Sequence, residues 1–417
     1  NHRIRKVDTN GNISTFAGTG TEGFSGDGGA ATSAKLNSSE YIIYYNNNYY
    51  IADYGNARIR KIDSNGIITT IAGKDVYNGD NISASTAKIN LPRNMAMDKN
   101  DNLYIAEQNS NRIRKIDSNG IITTVAGTGE AGYSGDGGAA TSAKINAPRG
   151  VAVDNAGNIY ISDRSNNRIR KVDADGIITT YAGNGESGYS GDDGAATSAK
   201  INFPYSLATD SNGNLYISDA YNHIIRKVDS SGKISTVAGT PESSGYSGDG
   251  GAATSAQLNS PLGVDLDSNG NIYIADIYND RIRKVDTNGI ISTVAGTGES
   301  GYTGDGAAAT SATISSPITV RVDEADNIYI AQWSSNPAIR KIWKGSGIIT
   351  TVAGTGTVGY TSDTTAIHAL LTSPLGMALD SKGNLFFGEQ GNKIIRKVNA
   401  SYHTLTGTPT NSDVGTT

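Results

Sequence analysis

Pro148-Arg149-Gly150-Val151-Ala152-Val153-Asp154 is followed by Asn158-Ile159-Tyr160-Ile161-Ser162-Asp163. Then come Arg168-Ile169-Arg170-Lys171-Val172-Asp173 and Gly176-Ile177-Ile178-Thr179-Thr180-Tyr181-Ala182-Gly183. The same succession restarts at Pro92, Pro204, Pro261, Pro317 and Pro374, every 56 or 57 residues. A fixed long period marks a repeat architecture, in which each unit buries its apolar face only against its neighbours. Within a unit, four short runs rich in Ile, Val, Tyr and Thr alternate with turns such as Asp117-Ser118-Asn119-Gly120 and Asp267-Ser268-Asn269-Gly270-Asn271. β-Branched and aromatic runs bounded by Asn, Asp and Gly read as antiparallel strands joined by hairpins. We designate the strands A to D, here over 151–154, 159–163, 168–173 and 177–182. Tandem four-strand units suit a β-propeller, one unit per blade.

Counting segments sets the expected blade number. A, B and D segments occur seven times, and C segments eight times. The expectation is an all-β, seven-bladed propeller of four-stranded antiparallel blades over residues 1–400. Its blades lie at about 38–73, 92–127, 148–183, 204–239, 261–296, 317–354 and 374–400. Residues 1–18 would complete the last blade, since joining the chain ends removes exposed sheet edges. One C segment, 3–7 or 394–398, would be surplus and fray. Residues 401–417 read as a linker tail. The start at Asn1, inside a repeat and without Met, reads as a piece of a longer polypeptide.

The Pro-x-Gly-Val-Ala-Val-Asp, Ile-Tyr-Ile-Ala-Asp and Asn-x-Arg-Ile-Arg-Lys-Val-Asp motifs resemble those of the NHL-repeat β-propellers over about residues 1–400. The connection Gly132-Tyr133-Ser134-Gly135-Asp136-Gly137-Gly138-Ala139-Ala140 is similar to that of bacterial surface NHL proteins and of the teneurin propeller. The resemblance implies the propeller. The family's functions are mixed, from extracellular recognition to RNA binding and lyase chemistry, so function has to be argued from the site.

Composition narrows the classes. A formal net charge of −5 over 417 residues gives no bulk attraction to nucleic acid or anionic membrane. No apolar run is long enough for a spanning helix. With no Cys, disulfides, thiol catalysis and Cys-based zinc sites are excluded. Abundant Gly, Asn, Ser and Thr with sparse Lys fit a secreted or cell-surface bacterial β-protein. The lyases that share this architecture hold a metal on the axis with several His. Here His2, His223, His368 and His403 are scattered along the chain, so no three-His centre, no catalytic residue and no catalytic metal are expected.

An antiparallel blade puts its tight A–B and C–D turns on one face. Its variable B–C loops and long D–A connections fall on the other, which is the expected functional face. Each connection carries an aromatic and an acid three apart: Phe24/Asp27, Tyr77/Asp80, Tyr133/Asp136, Tyr189/Asp192, Tyr246/Asp249, Tyr302/Asp305 and Tyr360/Asp363. A ring of acids could hold a structural Ca²⁺, but seven equal copies favour a scaffold role, with each Asp capping a short helical turn. The Arg-Ile-Arg-Lys strands read as solvated, ion-paired strands. Positions that depart from their siblings say more. Ala is usual at the centre of strand A (Ala96, Ala152, Ala208, Ala378), but successive copies carry Asp265 and Arg321, expected as a buried ion pair. The loop face gathers Arg93, Arg149, Arg164, Tyr205, Tyr221 and His223 in one sector, with Trp333 as an anchor opposite. Arg with aromatics is the composition of recognition hot spots. The expected function is an extracellular or cell-surface binding module for a protein or glycan partner, acidic by preference, with no nucleic-acid or membrane-inserted role. A self-assembling surface protein and a calcium-dependent lyase- or lactonase-like enzyme are the alternatives.

Overall fold

The computed structural model describes residues 4–7, 13–37, 39–45, 48–72, 79–84, 87, 92–98, 100, 102–323, 325–333, 335–358, 366–371, 374–379, 385–389 and 394–398. Six blades are built from consecutive strands. Blade 1 starts with strand A at Ser39–Tyr45 and blade 2 at Pro92–Met97. Blade 3 comprises Val151–Val153, Ile159–Asp163, Arg168–Val172 and Ile177–Ala182. Blade 4 comprises Pro204–Thr209, Leu215–Asp219, Ile224–Val228 and Ile234–Ala238. Blade 5 runs from Pro261–Leu266 to Ile291–Ala295, and blade 6 from Pro317–Val322 to Ile349–Ala353. The A strands follow one another in a closed circuit, with Pro374–Leu379 meeting Ser39–Tyr45.

Six such blades, not seven, correct the expectation of a seven-bladed propeller whose last four-stranded blade is closed by the N-terminal segment. The remaining sheet has a different construction: Pro374–Leu379, Leu385–Glu389, Ile394–Val398, Ile4–Val7 and Ile13–Ala17, in that order. Both terminal C segments take part, so neither is surplus. They lie side by side in parallel, Ile4 opposite Ile395, Arg5 opposite Arg396 and Lys6 opposite Lys397. The direction follows from their neighbours. Ile394–Val398 is antiparallel to its B strand and Ile4–Val7 to its D strand, which leaves the two C strands pointing the same way. Nor are all complete blades four-stranded. Two-residue strands Gly29–Ala30, Ile82–Ser83 and Gly138–Ala139 add a fifth strand at the outer edge of blades 1, 2 and 3.

The core lies between blades. Tyr160, Ile169 and Ala182 of blade 3 pack with Leu215, Ile217, Val228 and Ile234 of blade 4, and Ala196, Ala199 and Ile201 of the connection close the gap. Fully burying such a side chain stabilises by about 1.5–3 kcal/mol, and the other boundaries between the six complete blades repeat the arrangement.

The connection takes an unexpected path. After blade 3 it docks on the strand it leaves, with the Gly183 and Asn184 amides donating to the Ala196 and Ala199 carbonyls. Its middle then runs along the outer edge of blade 4, where the Asp193 and Ala196 amides donate to the Ile234 and Gly232 carbonyls. Only its end, at Asn202 and Phe203, returns to the loop face beside the B–C loop. The connection is therefore a clasp between blades rather than a loop lining the site.

Candidate functional site

The clasp explains the repeated acids. Asp136 accepts from Arg170 at 2.5 Å, from Thr180 Oγ1 at 2.6 Å and from Tyr133 Oη at 2.8 Å. The same Arg–Asp pair recurs as Arg60–Asp27, Arg114–Asp80, Arg226–Asp192, Arg283–Asp249 and Arg340–Asp305, at 2.6–2.9 Å. The Ala-Thr-Ser turns that follow have Ala at their N-caps and no side-chain cap bond, so these Asp are ion-pair partners rather than caps. Tyr77, Tyr360 and Asp363 lie outside the described residues.

The arginines are not solvated. Arg60, Arg114, Arg170, Arg226, Arg283 and Arg340 are each 0% exposed. A register shift between strands C and D at Ile169/Arg170, repeated in the other complete blades, turns the central Arg inward. There Arg170 also faces Asp163, at 3.5 Å, at the end of strand B. Tyr133 covers the pair of arginines, 3.7 Å from Arg168 and 4.8 Å from Arg170. Burial pushes Asp163 and Asp276 up to about 6 and Asp219 and Glu107 up to about 7, although the facing Arg and, for the three Asp, nearby amides pull the other way. Burial also acts on Asp136, but Thr180, Tyr133 and Arg170 together hold it below the usual carboxylate range. This machinery joins blades.

Among the described residues, two assemblies at the loop face occur at the boundary of blades 3 and 4 alone. Arg149, at the start of strand A in blade 3, lies 4.2 Å over the Tyr205 ring of blade 4 and donates from Nη2 to the Tyr205 hydroxyl. Beside it, Arg164 lies 4.4 Å over Phe203, which stacks on Tyr221 at 4.7 Å. Phe203 escaped the sequence reading. The signal was available, since its counterparts are Ala147, Ser260 and Ser316, and all four hold positive φ, 54° at Phe203. A bulky residue there is strained.

The other candidates fall elsewhere. His223 sits at φ 62° and its Nδ1 accepts the Ser260 amide at 3.0 Å. Asn111, Asn167 and Asp280 do the same for Ala147, Phe203 and Ser316, so His223 is a scaffold acceptor. Its desolvation lowers its pKa and favours the neutral imidazole that an acceptor requires. Trp333, 36% exposed, lies in the B–C loop of blade 6, away from the blade 3/4 stack. The Arg93 side chain lies outside the described residues. Asp265 and Arg321 approach to 3.8 Å with side chains 24% and 38% exposed, an open ion pair rather than a buried one. Partial burial still raises the Asp265 pKa, against the pull of Arg321 and the Val322 and Leu266 amides. Among the described residues, no three His, Cys, Asp or Glu converge as metal ligands, and no helix is long and apolar enough to cross a membrane.

The family model for the teneurin NHL domain matches residues 74–134, 128–190 and 238–301. Chicken (Gallus gallus) teneurin-1 is 30% identical over 270 residues, 55% of this chain and 10% of its own. The chloroplastic protein SUPPRESSOR OF QUENCHING 1 of Arabidopsis thaliana is 30% identical over 244 residues, 55% of this chain and 23% of its own. The chain thus spans a quarter or less of these relatives. Among solved structures, virginiamycin B lyase from Staphylococcus aureus superposes with a TM-score of 0.55 at 16% identity, covering 84% of this chain and 92% of the lyase. An auxiliary nutrient binding protein from Bacteroides ovatus superposes at 0.51 and 14% identity, covering 93% and 76%. At these identities the likeness shows the fold alone.

Proposed function

The chain belongs to the NHL-repeat propellers, and from that premise we propose that it is a binding module that holds a partner protein on its loop face. The observation that carries this reading is the cation–aromatic assembly of Arg149, Tyr205, Arg164, Phe203 and Tyr221, found among the described residues at one blade boundary. Recognition of one partner needs a place that differs from the other repeats, and stacked Arg and Tyr supply desolvated contact area with directional donors. A location outside the cell or on its surface, suggested by composition, is part of the same proposal. So is the absence of a catalytic role, for which the support is that His223, the one His near the site among the described residues, already accepts the Ser260 amide.

The test compares two faces. The wild-type chain, an Arg149→Ala/Tyr205→Ala variant and a turn-face variant, Asn212→Ala/Asn288→Ala, are used as immobilised baits for extracellular proteins of the source organism. A specific partner should stay with the wild type and the turn-face variant and be lost from the loop-face variant. Retention by the loop-face variant together with loss from the turn-face variant would refute the assignment.

A further inference from the structure

Three neighbouring blades place an aromatic side chain in the B–C loop of the loop face, Tyr221 and Tyr278 at one equivalent position and Trp333 one position nearer strand B. The main-chain amides of Tyr221 and Tyr278 donate to the Asn202 and Asn259 carbonyls at 3.3 Å. The same bond in blades 1 and 3 is made by Gly55 and Ser165. The rings are 54%, 68% and 36% exposed. The backbone bonds fix the loop positions that carry Tyr221 and Tyr278, and the Tyr221 ring is held further by its stack on Phe203. Beneath them Ile277 and Ile318 are buried in the core of blade 6, with Leu262 partly buried against it. The polar atoms alongside are committed to the scaffold. Asn222, Asn279 and Asn336 donate to the Gly188, Gly245 and Gly356 carbonyls, and His223 and Asp280 accept the Ser260 and Ser316 amides. The face therefore offers apolar rings and few side-chain hydrogen bonds, which suits apolar side chains better than sugar hydroxyls.

At the blade 3 end the character changes. Arg149 touches two neutral groups, the face and the hydroxyl of Tyr205. The central arginines of strand C, by contrast, each meet a carboxylate, and Arg168 and Arg281 at its start donate to main-chain carbonyls. A guanidinium with only neutral partners complements an anion, and its planar fork favours a carboxylate.

We propose that the arc from Arg149 to Trp333 receives one extended segment of a partner protein, with a carboxylate over Arg149 and apolar side chains against Tyr221, Tyr278 and Trp333. This rests on the loop-face reading and adds the chemistry of the partner. The probe is a phage-displayed library of random linear peptides, panned on the whole chain with an array of acidic glycans alongside. Enriched peptides should combine Asp or Glu with aromatic or aliphatic residues. A synthetic peptide of that consensus should bind about tenfold more weakly to Arg149→Gln, and again to Tyr278→Ser/Trp333→Ser, and more weakly at high salt only while Arg149 is present. Asn212→Ala, on the opposite face, should bind it unchanged. Unaltered melting of each variant separates lost contacts from lost folding. Peptides without an acidic preference would overturn this proposal and leave the loop-face reading standing. Capture of acidic glycans with no peptide enrichment would overturn it likewise. Binding lost only in Asn212→Ala would overturn both.

Discussion

Arg170 is fully buried between Asp136 and Asp163, and its removal strands one carboxylate with no solvent exposure. Arg170→Leu should destabilise the chain by about 3–5 kcal/mol, the usual cost of breaking a buried pair from one side. Denaturant unfolding measures it, and a loss below ~1 kcal/mol would show that the pair is not needed. The position of Glu107 carries a different expectation. Blade 6 has Gln332 there, fully buried, and it faces Arg340 without a charge. Burial raises Glu107 and Asp219 to about 7 and Asp163 and Asp276 to about 6. Raised carboxylates bind more protons folded than unfolded between about pH 4 and 7, so their contribution is greatest below pH 4 and declines through that window. Asp136, Asp192 and Asp249 are held low, and their contribution disappears as the pH falls below about 4. Thermal stability should therefore peak near pH 5 and be lower at pH 8. Glu107→Gln should raise the melting temperature at pH 8 and leave it unchanged near pH 5, and equal shifts at both pH values would refute the assignment. His223→Asn should be neutral, since Asn111 and Asn167 already make the same bond. His223→Ala should cost about 1 kcal/mol by leaving the Ser260 amide without its acceptor.

The strands and tight turns were legible because their signals are local. Ile-Tyr-Ile and Asp-Ser-Asn-Gly carry their own geometry, and the Asp267 carboxylate accepts the Asn269 and Asn271 amides as such turns require. The connection was not legible. Its path is set by amides that reach the next blade, and its Asp was read as a cap because the Arg it meets lies 34 positions away along the chain. The same separation hid the burial of the central Arg, since Arg-Ile-Arg-Lys alone has the composition of a solvated strand. The connection has its own weak point at Gly191, with φ 90°, where a Cβ would lie 2.7 Å from Ala199 Cα and 2.8 Å from its Cβ. Gly191→Ala should undock the clasp between blades 3 and 4 and cost about 1–3 kcal/mol. Limited proteolysis should then cut within 184–202 before other segments. Gly213→Ala, at an open turn with nothing near its missing Cβ, is the control and should leave the connection protected.

At the scale of the whole molecule, the ring depends on one joint that the repeat alone does not specify. Seven A segments and eight C segments said that the ends meet, but not how. An extra C strand can be left out or inserted, and only pairing energies decide. Insertion keeps the main chain of both terminal C strands paired, with Arg5 in register with Arg396 and Lys6 with Lys397. The loop-face asymmetry was similarly half legible: departures from the repeat were visible, whereas their assembly across blades 3 and 4 needed the ring. The joint makes a graded prediction. In the terminal sheet Thr15 and Ser14 pair with Arg5 and Lys6 of the neighbouring C strand, and in blade 4 Thr236 and Ser235 pair with Arg226 and Lys227 in the same way. Residues 13–17 could therefore pair with Arg396 and Lys397 if residues 1–7 were removed, giving an ordinary A–B–C–D order. Deleting 1–7 should leave the melting temperature nearly unchanged. Deleting 1–18 removes both strands, leaves Ile394–Val398 as an open edge and uncovers Ala31 and Ala34, which pack on Ala17. That deletion should lower the melting temperature of the whole ring and promote association through the free edge, measured by calorimetry and light scattering. An equal effect of the two deletions would show that Ile4–Val7 itself, rather than the D strand behind it, closes the ring.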